Sequence, residues 1–88
     1  MSGISRSTLF ILERVRRKLE EGLDLNDPLA LAWLCEQLRE VAYHVHEEFL
    51  KRGDEVKAIQ VFENFYLPLD RMAKFFEKLG LSHVSRRT

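Results

Sequence analysis

Asp27-Pro28-Leu29-Ala30-Leu31-Ala32-Trp33-Leu34-Cys35-Glu36-Gln37-Leu38-Arg39-Glu40-Val41-Ala42-Tyr43-His44-Val45 opens the longest unbroken stretch of the chain, and its reading decides the fold. Asp27 offers an N-cap acceptor, and Pro28 falls at the first helical position, where its missing N–H costs nothing. No breaker follows until Gly53. The spacing therefore predicts a helix of about 25 residues, roughly 37 Å at 1.5 Å per residue. Leu31, Leu34, Leu38, Val41 and Val45 recur at alternating steps of three and four, flanked by Cys35, Ala42 and Phe49. That pattern is the seam of an antiparallel bundle or coiled coil.

Helical signals continue on both sides. Upstream, Ser5 or Ser7 can cap a first helix running from about Thr8 to Glu21, with Gly22 as a left-handed stop. Downstream, Gly53-Asp54 makes a tight break, with Asp54 as the next N-cap. A third helical pattern then runs from Glu55 to Leu79 and stops at Gly80, with Pro68 inside it. An interior proline removes a backbone bond and crowds the turn before it, so this helix either kinks there or divides into two. The register favours the kink, because Ile59, Phe62, Tyr66, Leu69, Ala73 and Phe76 keep their three-and-four spacing across the proline. No period-two strand pattern competes. The expected fold is all-α: one domain over residues 1–88, an antiparallel three-helix bundle of two long helices and a shorter N-terminal one, with residues 1–7 and 82–88 frayed.

Composition narrows the function classes. Fourteen Lys and Arg balance fourteen Asp and Glu among 88 residues, which excludes a diffuse basic field for nucleic acid. The zero is patterned: residues 1–22 carry five positive and three negative charges, and residues 23–53 carry three positive and six negative. Complementary helices of one bundle account for that asymmetry. Cys35 is the only cysteine and lies in the apolar-periodic segment, as a buried thiol would. With no transmembrane run and no signal-peptide pattern at Met1–Ser7, a cytoplasmic protein that does not enter membranes is the expectation.

The strongest functional signal is hydrophobic. Beside its first seam the third helix carries a second: Val61, Phe65, Met72, Phe75 and Leu79. Either the first helix covers this seam and closes the monomer, or the seam binds a partner. An aromatic and methionine stripe of this size exceeds what a monomer usually exposes. The expectation is a non-enzymatic interaction module that self-associates, most simply as a homodimer, or binds a partner helix. No cofactor is implied.

Three other readings have residues of their own. Glu40, His44 and Glu48 lie four apart on one ridge of the second helix, where carboxylate and imidazole can share a metal ion, although a solvated ridge is the simpler reading. Arg6, Arg14, Arg16, Arg17 and Lys18, with Arg86 and Arg87, offer a basic surface for nucleic acid. Arg39-Glu40-Val41-Ala42-Tyr43-His44 fits the pattern Arg-x4-His with a polar residue after the arginine. Over those six residues the chain resembles the HEPN superfamily, all-helical domains that include metal-independent ribonucleases. The resemblance implies that Arg39 would hold an RNA phosphate and His44 would act as acid–base group in a dimer cleft.

Overall fold

The computed structural model describes the backbone of residues 5–87 and side chains as far as Ser82. The chain forms α1 (Arg6–Glu21), α2 (Pro28–Lys51), α3 (Glu55–Val61), a π-helical turn (Phe62–Tyr66) and α4 (Leu67–Arg87). It is an all-α three-helix bundle in which α3, the π turn and α4 form one continuous third rod.

Local chemistry sets most of the boundaries. Ser5 Oγ accepts the Thr8 N–H at 3.1 Å and begins α1. Gly22 ends it at φ 99°, and the Gly22 and Leu23 N–H groups return to the carbonyls of Leu19 and Lys18. Asp27 Oδ1 caps α2 through the Leu29 N–H at 3.1 Å, with Pro28 in the first turn. Gly53, at φ 78°, turns the chain, and Asp54 Oδ1 accepts the Lys57 N–H at 3.2 Å to start α3.

One boundary differs from expectation. The third rod continues through Pro68, as its register favours, but does not stop at Gly80. Ahead of the proline, residues 62–66 open into a π turn, in which the Leu67 N–H bonds the Phe62 carbonyl five residues back. A wider turn gives room where the proline ring would crowd the Asn64 carbonyl, and the helical path continues. Tyr66 is part of that turn, its ring stacked on Phe62 at 4.7 Å. Gly80 is a point of close approach: a Cβ there would stand 2.5 Å from Leu29 Cγ and 3.3 Å from Leu29 N. The helix continues to Arg87, so residues 82–87, read as frayed, have helical backbone. Of the other end read as frayed, Ser5 caps α1 and Arg6 and Ser7 belong to it, whereas residues 1–4, like Thr88, lie outside the described residues. Gly80→Leu should cost about 1–3 kcal/mol by overpacking the α2–α4 contact, visible as a lowered urea midpoint.

The rods pair antiparallel. Reading along α2, His46 faces Ala58, Arg39 meets Asp70, and Leu29 meets Gly80. α1 packs on α2 alone; among the described residues it makes no close approach to α3 or α4. The Cα envelope measures 51 × 26 × 14 Å. A closed triangle of helices at 8–10 Å spacing would be about 15 Å in both cross directions. The 26 Å breadth fits three helices laid side by side, with α2 in the middle.

This arrangement places small residues at the centre. The buried apolar residues are Ile11 and Val15 of α1, Ala32, Cys35 and Ala42 of α2, and Ala58 and Ala73 of the third rod. Ala58 is 0% and Ala73 1% exposed. The leucine seam of α2 lies to one side of this line and is only half-buried, with Leu38 exposed. Ile59, expected in the core, is 52% exposed. Small side chains let α2 and the third rod approach closely, and the larger ones are displaced to the two faces.

Candidate protein-interaction face

The two faces of the α2–third-rod pair are chemically unlike. On one, Tyr43, His46, Phe62 and Tyr66 form a cluster with ring centroids 4.7–6.1 Å apart. The His46 ring is held by a 2.7 Å hydrogen bond between Nδ1 and the Ala58 carbonyl. A carbonyl only accepts, so Nδ1 is the donor in that bond. Farther along, Arg39 Nη1 bonds Asp70 Oδ1 at 2.7 Å, and Lys74 Nζ bonds Asp70 Oδ2 at 2.9 Å. Lys74 first, then Arg39, holds the Asp70 carboxyl below the ordinary carboxylate range. A depressed folded-state value gives stability that is present above the unfolded value and is lost as pH falls through the folded one. The urea midpoint is therefore expected to drop between about pH 5 and about pH 2, with Asp70→Asn showing less of that drop.

The opposite face is apolar. A groove of about 530 Å³ runs along it. α2 contributes Leu38, Val41, Ala42 and Val45; the third rod contributes Val61, Asn64, Phe65, Pro68, Leu69 and Met72. Beyond the groove, Phe75 and Leu79 continue the stripe, because positions 72, 75 and 79 recur on one side of α4, away from Asp70 and Lys74. Phe65 is 58% and Phe75 61% exposed, and Met72 and Leu79 are also exposed. Val61, Phe65 and Met72 thus line the groove, whereas Phe75 and Leu79 extend the same side of the rod. The sequence reading missed the share of α2, whose leucine and valine positions it assigned to the core. The signal was the row of small residues Ala32, Cys35 and Ala42, which marks the true line of contact.

The other candidate residues do not come together into a site. Arg39 is tied to Asp70, and His44 lies five residues on, about 140° round α2. Within one chain the two side chains point to different sides. Glu40 is exposed, while Glu48 lies 3.9 Å from Lys51; among the described residues no three His, Cys, Asp or Glu side chains cluster as a metal site. On α1, Arg16 pairs with both Glu13 and Glu20, which keep its guanidinium protonated. Arg14 donates to Gln37 at 3.1 Å and lies over the Phe10 ring at 5.4 Å. Two of the five described residues of the supposed basic surface, Arg14 and Arg16, are thus engaged with neighbouring side chains; the side chains of Arg86 and Arg87 lie outside the described residues. Cys35 is buried, and burial, followed by nearby Glu36, raises its thiol pKa, which disfavours the reactive thiolate. No described helix is long and apolar enough to cross a membrane.

Comparison with known proteins finds no matching family model, no similar curated protein and no similar solved structure.

Proposed function

We propose that this chain is a non-enzymatic helical protein-interaction module that works by burying its apolar face against a protein partner. The supporting observation is the open stripe of Phe65, Met72, Phe75 and Leu79, which α1 does not cover. Each large apolar side chain contributes about 1.5–3 kcal/mol on full burial. Because these four are partly buried already, the groove residues must add to their share. Together they can offset association costs and give binding at the micromolar level. On the other face Arg39 and Lys74 are bonded to Asp70, and His46 to the Ala58 carbonyl.

A photo-crosslinking amino acid tests this reading directly. Benzoylphenylalanine replaces Phe75, aromatic for aromatic, in the cells that make the protein. Irradiation is expected to give a covalent adduct with a protein. The same group at Val56, on the far side of α3 from Ala58, is expected to give none. No adduct at position 75, or equal adducts at both positions, would contradict the interaction reading.

A further inference from the structure

We infer that the partner on this face is a second copy of the chain, docked face to face about a two-fold axis; the inference rests on the interaction reading above. The first argument is area. A compact 10.4 kDa monomer exposes about 5,400 Å² by the scaling of surface with mass. This chain exposes 6628 Å². The excess of about 1,200 Å², of which the open stripe is one part, is of the order that one subunit buries in an obligate homodimer. The radius of gyration agrees: 15.1 Å, against about 12 Å for a compact chain of this length.

The second argument is layering. Helices bury their apolar stripes between two packed layers, and a single row has no interior. Two such rows placed face to face make a two-layer, six-helix body whose core is the Phe65, Met72, Leu38 and Val45 surface of each copy.

The third argument is charge. A two-fold axis sets a surface against itself, so any net charge on it meets its like. The groove has no charged lining residue among the described residues, and its one polar side chain is Asn64. An amide carries both donor and acceptor, so it can bond its own copy across an axis, as buried asparagines do in coiled coils. The neutral groove is therefore free of the like-charge repulsion that would oppose a second copy.

Light scattering coupled to size exclusion, on the full chain from about 1 to about 100 µM, tests the inference. The expected mass is twice 10.4 kDa, with dissociation only at or below about 1 µM. Met72→Glu is expected to halve the mass at every concentration, and Val56→Glu to leave the pair intact, with circular dichroism reporting whether each variant is helical. If Met72→Glu does not fold, the wild-type mass decides alone. A wild-type mass of 10.4 kDa at about 100 µM overturns the second copy. In that case a crosslink from position 75 to a different protein would leave the interaction reading standing. A pair that persists in helical Met72→Glu, or a closed assembly of three or more chains, also overturns the inference.

Discussion

Ala58→Leu is expected to be among the most damaging single replacements within the bundle. Ala58 is 0% exposed and lies where α3 crosses α2, with its carbonyl held at 2.7 Å by His46 Nδ1. An added isobutyl group has no vacant space to enter. It must push the rods apart or displace the His46 ring, which also packs on Phe62 at 5.3 Å. Overpacking of this kind costs about 1–3 kcal/mol, occasionally more. For a small domain, with total stability toward the lower end of about 5–15 kcal/mol, that is a large share. Urea unfolding followed by circular dichroism measures it. Gln60→Leu, two residues on and exposed, should stay within about 0.5 kcal/mol of wild type.

Phe65→Glu should have the largest effect on association and a small one on the isolated chain. The ring is 58% exposed in the single chain and lines the open groove, so a monomer barely depends on it. In a symmetric pair the same substitution acts twice. Each copy loses an aromatic contact and gains a carboxylate that must be desolvated or kept out of the interface. With up to about 1.5–3 kcal/mol of burial lost per ring, the pair should weaken by about 2–6 kcal/mol, allowing for the part already buried. That corresponds to about 30- to 10⁴-fold in dissociation constant. Sedimentation equilibrium on wild type and variant measures the ratio.

The helices and their caps were legible because the relevant chemistry is local. Ser5, Asp27 with Pro28, Gly22 and Asp54 act on backbone groups within a few residues, and each serves as its residue type suggests. Gly80 was misread because glycine has two uses. It stops helices by adopting positive φ, as Gly22 does, or it permits close approach within one, and only the presence of Leu29 distinguishes these. Pro68 was legible as a disturbance but not as a π turn, because the three-and-four spacing does not show where an extra residue is absorbed. The second seam of the third rod was also legible. An open seam was favoured over one covered by α1 because of its size, although hydrophobic spacing says which sides of a helix are apolar and not which neighbour arrives. α1 could have packed against either long helix, and Ile11 and Val15 take it to α2. The same limit hid the groove share of Leu38, Val41 and Val45. Ala32, Cys35 and Ala42 form the close contact, and the larger residues beside them are left facing outward.

The concentration dependence of unfolding tests most directly whether the apolar face is completed by a second copy. For a pair that unfolds to two separate chains, a 100-fold rise in concentration adds about 2.7 kcal/mol to apparent stability. With a urea slope of about 2 kcal/mol/M, the midpoint should move upward by about 1.3 M between about 1 and about 100 µM protein. In helical Met72→Glu the midpoints at the two concentrations should coincide. Coincident wild-type midpoints across that range would mean that the chain folds and remains stable alone, with its aromatic face left to water or to a different protein.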